Sequence, residues 1–417
     1  MNAPILSPRP AKVPPKTEAE KRALGQFFTP TQVADFMATF FARELPDWRV
    51  IDAGAGAGAL TLALVQRVVG QVPRPKSFHV TAYEIDEAAL GLLRETLKEC
   101  AELCAEHGIA FGAEIREVDF IAHTTMALEQ GLFAPALRTF NAAIANPPYR
   151  KLRAGSLAHA QLQAVGIDVT NLYSGFLALL SRLLEADAEL VAIVPRSFCN
   201  GPYFRAFRED FLARMSFRRV HVFGSRQAAF AEESVLQENI ILRAERSTHT
   251  PQAVEISSSR GDFKDSVSSR LHAWTDMVHP QDAQRFIHLP SDEAGGDVRA
   301  MLSTIPGRLT ALGLSVSTGK VVDFRVKEQL RNNWITPDHP LLYPCHFQAG
   351  RLHWPKLDGK KPNGLAVTSD RMDLLVPMGV YVVVRRFSSK EERKRIVASL
   401  VEPERLPPEA SRLAIEN

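Results

Sequence analysis

Val50-Ile51-Asp52-Ala53-Gly54-Ala55-Gly56-Ala57-Gly58 is an apolar run that closes on an aspartate and then on three alternating glycines. Arg49 to Asp52 reads as a buried strand, and Leu60 to Val69, behind the glycines, reads as a helix. Glycines at such a turn lack the Cβ that would keep a ligand away from the backbone amides at the helix start. No lysine followed by Ser or Thr comes after them, which excludes a Walker-type phosphate loop. The turn itself is open to a dinucleotide or to no ligand at all.

Outward from this unit the same alternation recurs. His79 to Tyr83 precedes a helical Glu87 to Leu103; Glu114 to Val118 precedes a helical piece and then Ala142 to Ala145; Gly175 to Leu184 reads as helix and Glu189 to Val194 as strand. Strands alternating with helices predict an α/β fold, a doubly wound parallel sheet covered by helices. Upstream, Thr29 as N-cap and Pro30 in the first turn start a helix whose Val33, Phe36, Met37, Phe40 and Phe41 form one apolar stripe. Arg219 to Phe223 and Asn239 to Arg243 follow each other closely enough to predict an antiparallel pair at a sheet edge. Residues 1–20 hold five prolines and no apolar periodicity, so a loosely attached arm is expected there. Past residue 250 the texture turns to segments such as Ser257 to Arg260 and Ala294 to Gly296, which puts a domain boundary near 250. The expected division is therefore an arm over 1–20, a catalytic domain over 21–250 and a second domain over 251–417.

Asp52, Glu84, Asp119 and Asn146 each fall at the C-terminal end of a predicted strand, separated by 32, 35 and 27 residues. Each interval suits one strand–helix–strand step, and strand C-termini of an open parallel sheet line one ligand crevice. At the second end, Glu84 can accept both hydroxyls of a ribose. The fourth end is Asn146-Pro147-Pro148-Tyr149. The exocyclic amine of adenine is a weak nucleophile because its lone pair is delocalised into the ring. The Asn146 carboxamide oxygen and the Pro147 carbonyl, both accepting from that amine, would localise the pair for in-line attack on a sulfonium methyl group. Pro147 and Pro148 hold the carbonyl rigidly, and Tyr149 offers a face on which an extruded base can stack. The bland alternative is a strand-ending turn with a tyrosine plugging the core.

At 417 residues, with 45% apolar and 23% charged side chains, the chain has the make-up of an ordinary globular protein of two domains. No uncharged apolar run reaches membrane-spanning length and the N-terminus has no signal-peptide pattern, so a cytoplasmic location is expected. Cys100, Cys104, Cys199 and Cys345 include no CxxC, and none of the 12 histidines has metal-ligand spacing; all four thiols read as structural and no metal is expected. The net charge of +3 leaves nucleic-acid binding open. Its distribution offers three clusters: Arg150, Lys151 and Arg153; Arg205, Arg208, Arg214, Arg218, Arg219 and Arg226; and Arg385, Arg386, Lys390, Arg393, Lys394 and Arg395. Any one of them could equally be a solvated face.

Taken together, Gly25-Gln26-Phe27-Phe28-Thr29-Pro30, the Asp52 to Gly58 turn, Glu84, Asp119-Phe120 and Asn146 to Tyr149 resemble the adenine-specific (N6) DNA methyltransferases of restriction-modification systems. The motif order is the one called gamma, cofactor motifs first and target recognition last. The resemblance implies a Rossmann-like fold binding S-adenosyl-L-methionine. Gln26, Phe27, Phe28, Thr29 and Pro30 would close over its methionine part, Asp52, Gly54, Gly56 and Gly58 would hold the methionyl side, Glu84 the ribose, and Asp119 and Phe120 the adenine ring. Asn171-Leu172-Tyr173 with Phe176 matches a helix start that shapes the target-base pocket in such proteins, or else a buried aromatic face. Residues 251–417 would be the DNA-binding, target-recognition domain; Arg150, Lys151, Arg153, Arg385 and Arg386 are its and the catalytic domain's candidate DNA contacts. Similar proteins continue well past the equivalent of Tyr381 to Phe387, which implies a recognition domain that is incomplete by comparison. The implied partners are double-stranded DNA and, beyond it, a cognate restriction endonuclease or a second chain completing recognition.

Rival functions share parts of this pattern. The same tetrapeptide chemistry serves a protein glutamine or an RNA adenine, against which stand the Gly25 to Pro30 segment and the long, basic C-terminal region. Pro337-Asp338 with Glu392-Arg393-Lys394 imitates a nuclease site of a methyltransferase-nuclease fusion, at too long a separation. Pro344-Cys345 imitates a cytosine-methylating nucleophile, but the fourth-strand position already holds Asn146; Cys345 and His346 read as structural.

Overall fold

Period-two burial decides which face each strand side chain takes. In the computed structural model, which describes residues 29–130, 139–223, 239–259, 267–289, 301, 304–305, 307, 309–387 and 396–417, the elements run α1 (Thr31–Ala38), β1 (Asp47–Ala53), α2 (Ala59–Val68), β2 (Ser77–Tyr83), α3 (Glu87–Glu106), β3 (Ala110–Arg116), α4 (Phe120–Gln130) and β4 (Phe140–Ala145). Then follow α5 (Leu157–Ala164), α6 (Leu172–Leu183), β5 (Leu184–Pro195), α7 (Arg205–Leu212), β6 (Met215–Phe223), β7 (Asn239–Arg246), β8 (Ala253–Ser259) and β9 (Ser268–Ala273). The expected arm over 1–20 lies outside the described residues, as do Gln26, Phe27, Phe28, Arg226 and the run Lys390 to Arg395.

All nine strands form one sheet in the order β3-β2-β1-β4-β5-β7-β6-β8-β9. From β3 to β5 every neighbouring pair is parallel, β7 is antiparallel to both β5 and β6, β8 is parallel to β6, and β9 is antiparallel to β8. Val50, Ala142, Ile144, Val191 and Ile193 point to one face and pack with α1, α2 and α3. Ile51, Ala53, Ala143, Ala145, Leu190, Ala192 and Val194 point to the other and pack with α4, α6 and α7. Both faces are thus covered, which is the doubly wound sheet the alternation predicts. Its strand order reverses between β1 and β4, and that reversal opens a crevice at the strand C-termini.

Three boundaries differ from expectation for physical reasons. The helix after Thr29 forms with the expected stripe, Val33, Met37, Phe40 and Phe41 being buried, but its N-cap is Pro30 and no side chain caps it. Strands β6 and β7 pair antiparallel, yet they lie inside the sheet, because β8 and β9 extend it further. The first compact unit consequently runs to Ser303 and the second from Thr304 to Asn417, not from 251. Ser257 and Ser259, whose polarity suggests a linker, are strand residues whose hydroxyls meet the two ring nitrogens of buried His221 on β6, each at 3.0 Å.

The second unit has its own sheets of short strands. One orders Leu330–Arg331, Gly364–Leu365, His339–Leu342, Arg412–Ile415 and Leu375–Pro377; the other orders Phe347–Gln348, Arg351–Leu352, Ala398–Val401 and Tyr381–Val384. Val321, Leu341, Tyr343, Leu365 and Ala414 anchor one core of this unit, and Leu342, Leu352, Val401 and Leu413 the other. His346 is buried here with Nδ1 accepting from the Tyr343 amide at 3.0 Å, a structural bond, while Cys345 beside it is exposed. Asp338 faces Arg331 at 4.0 Å, and Glu392 to Lys394, the other half of the nuclease imitation, lie outside the described residues.

Candidate active site

The register between β1 and its two neighbours aligns Asp52 with Ala82 and with Ile144, so the ends of β1, β2 and β4 are level. At the end of β1 the backbone turns back on itself through Gly54, Gly56 and Gly58, with φ of 80°, 56° and 84°. The left-handed region is open to glycine and costs other residues energy. At Gly58 the restriction is double, since a Cβ would stand 2.9 Å from Leu93 Cδ1. The Glu84 carboxylate cements this turn to the end of β2: Oε2 accepts from the Gly56 amide, and Oε1 from the Ile85 and Asp86 amides, each at 2.8 Å. Asp52 is fully buried beneath it. Its Oδ2 accepts from Thr61 Oγ1 at 2.7 Å, and among the described residues its Oδ1 accepts no hydrogen bond. Burial foremost, with the nearby Glu84 charge adding and the Thr61 bond opposing, pushes its carboxyl up to about 7.

A cavity of about 200 Å³ opens over this turn, lined among others by Gly54, Gly56, Glu84, Asp119, Phe120 and Asn146. Asp119 Oδ1 accepts from the Ala122 amide at 2.8 Å and so caps α4, which brings Phe120 to the wall. Phe120 and Phe176 stand with ring centroids 4.9 Å apart, and half-exposed Ile85 and Val118 complete an apolar slot of the kind a purine fills. The lining would suit S-adenosylmethionine on three counts: a glycine turn whose missing side chains leave its backbone open to close approach, an acidic group at the β2 end, and an apolar slot beyond it. Gly54, Gly56, Glu84, Asp119 and Phe120 would line that molecule. Asp52 and Gly58 lie behind the lining and shape it, and Gln26, Phe27 and Phe28 are outside the described residues.

A second cavity, of about 700 Å³, also meets the tetrapeptide. Tyr149, Lys151, Asn171, Pro195, Ser197 and Tyr203 are among its walls. Asn146 and Pro148 thus face the smaller cavity and Tyr149 the larger one. The Asn146 carboxamide is held at both ends: Nδ2 donates to Thr29 Oγ1 at 3.0 Å, and Oδ1 accepts from the Tyr149 hydroxyl at 3.0 Å. Tyr149 also reaches the Ile193 carbonyl at 3.3 Å, tying the segment to β5. Thr29, expected to cap a helix, therefore orients the central amide instead.

The Asn171 helix start divides its residues between the two cavities. Asn171 lines the larger; Leu172 and Phe176 line the smaller; Tyr173 lines neither, and its hydroxyl meets Ser197 Oγ at 3.0 Å. The loop after the tetrapeptide is stitched to this start by Leu152 N to Thr170 O and Leu172 N to Arg150 O, both at 2.9 Å. Residues 195–204 carry no motif and were not foreseen. The signal that could find them is their position, since β5 ends next to β4 in the sheet.

The basic clusters fare unequally. Arg150 lines the smaller cavity and Lys151 the larger, while Arg153 is exposed. In the second cluster Arg205, Arg214, Arg218 and Arg219 pair with Glu209, Asp210, Glu245 and Glu255. Arg208 is fully buried and donates to the carbonyls of Phe198, Gly201 and Gln284, so this cluster is largely structural. Arg385 and Arg386 are exposed on the second unit, Arg386 stacking on Phe387 and bonding Asn417. Cys100, Cys104 and Cys199 are buried, and burial pushes the Cys199 thiol up to about 12 and that of Cys104 up to about 11.

A sheet of this order is a doubly wound α/β fold with its ligand cavity at the reversal, and here an Asn-Pro-Pro-Tyr segment closes β4. The N-6 DNA Methylase model matches residues 15–162 and the Eco57I restriction-modification methylase model residues 105–230. Type II methyltransferase M.PstI of Providencia stuartii is 39% identical over 389 residues, which cover 93% of this chain and 75% of that protein. Type II methyltransferase M.BsuBI of Bacillus subtilis is 40% identical over 390 residues, covering 92% and 75%. A solved modification subunit of a putative type I restriction enzyme from Vibrio vulnificus YJ016 is similar over 68% of this chain and 63% of that one, with 14% identity and a TM-score of 0.49. The chain belongs to the N-6 DNA methylase family of restriction-modification enzymes and is an adenine-specific DNA methyltransferase.

Proposed function

We propose that the smaller cavity holds S-adenosylmethionine, that the larger one receives the extruded target adenine, and that the methyl group crosses between them past Asn146. The observation that carries this is the position of the tetrapeptide, with Asn146 and Pro148 on one cavity and Tyr149 on the other. The bound cofactor supplies an electrophilic sulfonium methyl group. The chain's own residues do the rest. Asn146 Oδ1 and the Pro147 carbonyl accept from the adenine amine and draw its lone pair out of the ring. Thr29 and Tyr149 fix the amide plane, which keeps that oxygen aimed without reorganisation during transfer. The Tyr149 ring gives the base a surface to stack on. Direct attack needs no covalent intermediate and no metal ligand set.

The wider setting follows from the substrate. Double-stranded DNA is the partner, held by Lys151 at the larger cavity, by exposed Arg153, and by Arg385 and Arg386 on the second unit, which we assign to target recognition. Protection of sites against a cognate restriction endonuclease, in the cytoplasm where that DNA lies, is the biological role that the type II relatives support. The test is to incubate the protein with duplex DNA, RNA and methyl-labelled S-adenosylmethionine, then digest and identify the labelled nucleoside. N6-methyladenine from DNA is the expected product. Label in RNA, in protein alone or on cytosine would overturn the proposal.

A further inference from the structure

Tyr203 exposes 81% of its surface at the mouth of the larger cavity, and no other aromatic side chain in the described part of residues 1–303 is so exposed. Its neighbours turn inward: Phe204 is buried against Tyr173, ring centroids 5.9 Å apart, and Phe198 is buried beneath. The backbone beneath Tyr203 is clamped. Gly201 N donates to Ser197 O and Phe204 N to Gly201 O, both at 3.1 Å, while Pro202 fixes its own φ. A Cβ at residue 201 would stand 2.9 Å from the Phe204 ring, so the turn is as tight as glycine allows. The fully buried Arg208 guanidinium fastens the same turn from inside, donating to Phe198 O at 2.7 Å, Gly201 O at 2.8 Å and Gln284 O at 2.7 Å, with Phe286 under it at 4.9 Å. A buried cation spent on carbonyls of a surface turn makes that turn a rigid mount, and the mount carries an exposed ring. Lys151 and Arg196 line the same cavity, within reach of any backbone phosphate that follows a base into it.

We propose that Tyr203 enters the base stack of the DNA at the place the target adenine vacates, and so acts as a positioning residue for base extrusion. The inference rests on the larger cavity being the target-base pocket. Extruding a paired base forfeits stacking and pairing, and an apolar ring inserted between base steps recovers part of that loss. Base–aromatic stacking tolerates any sequence, so the ring acts on extrusion and leaves site choice to other contacts. A ring carried on a clamped backbone needs only its own side-chain torsions ordered when it inserts.

The test uses a duplex built around an adenine that the wild-type enzyme methylates in plasmid DNA, once fully paired and once with an abasic position opposite the target. On the paired duplex Tyr203→Ala lowers the single-turnover rate about 10- to 100-fold, whereas Tyr203→Phe and Tyr203→Trp stay within about threefold of wild type. On the abasic duplex, where extrusion is already cheap, Tyr203→Ala recovers to within about threefold of wild type, and its affinity for S-adenosylmethionine alone is unchanged throughout. Equal losses on both duplexes, or none on the paired one, overturn the proposal. Thr170→Trp tests the pocket itself by filling the same cavity from an exposed position. If that variant methylates both duplexes normally, the pocket assignment and the inference fall together; if it is blocked while Tyr203→Ala stays fully active, the inference falls alone.

Discussion

Replacing Asp52 by asparagine should change how the stability of this protein depends on pH. Asp52 is buried, one of its oxygens lacks a hydrogen-bond donor among the described residues, and burial pushes its carboxyl up from an ordinary value of 3.8 to about 7. In the unfolded chain the group ionises near the ordinary value, so between the two values folding must take up a proton. A raised carboxyl contributes its stability in full below the unfolded value and loses it as pH rises through the folded one. At about 1.4 kcal/mol per unit, that loss amounts to about 4 kcal/mol across the window from about pH 4 to about pH 7. Asparagine keeps the shape and can still accept from Thr61, but it does not titrate. The buried amide adds an offset that is the same at every pH, so the prediction concerns the slope. Urea unfolding at about pH 4, 6 and 8 should give a wild-type minus Asp52→Asn difference that moves against the wild type by about 4 kcal/mol and then levels off above pH 7. Parallel stability curves for the two proteins would refute the account of Asp52 as an ionisable group held neutral by burial.

Two further outcomes test the parts that hold the site. Tyr149→Phe keeps the ring but releases Asn146 Oδ1 and the Ile193 carbonyl, and a lost hydrogen bond of about 1 kcal/mol lowers the single-turnover methylation rate about fivefold with cofactor affinity unchanged; stopped reactions at saturating DNA read this directly, and an unchanged rate would mean that the hydroxyl does not orient the amide. Arg208→Met strips three buried carbonyls of their donor and should cost about 3 to 5 kcal/mol in urea unfolding, a loss that a solvent-facing arginine would not produce.

Much of the fold is legible in the sequence because the sheet is buried on both faces. Runs such as Val50-Ile51 and Ala142 to Ala145 have to be apolar throughout, and the residues that close them must be polar where they meet solvent or ligand. Glu84 and Asn146 stand out for that reason, while Asp52 stands out as a charge-bearing residue closing a buried apolar strand. What stays hidden in the sequence depends on partners distant in the chain. Thr29 has the residue type of a helix cap, but its hydroxyl is taken by Asn146, 117 residues away. Ser257 and Ser259 look like linker residues until His221 on the neighbouring strand supplies their partner. That pairing belongs to β8, which joins the large sheet beside β6. Arg208 counts as surface charge in composition and is a buried clamp in the fold. The wall from Pro195 to Phe204 has no pattern of its own, because what it contributes comes from β5 ending next to β4.

The most direct test of the account compares Asn146→Ala with wild type in three measurements on the same preparation: S-adenosylmethionine affinity, duplex affinity, and the rate at which N6-methyladenine forms. Cofactor and DNA affinities should stay near wild type while the rate falls about 100- to 1,000-fold, the usual cost of removing one group that stabilises charge developing in a transition state. Methylation at the wild-type rate by the alanine variant would contradict the assignment of Asn146 to the centre of the reaction.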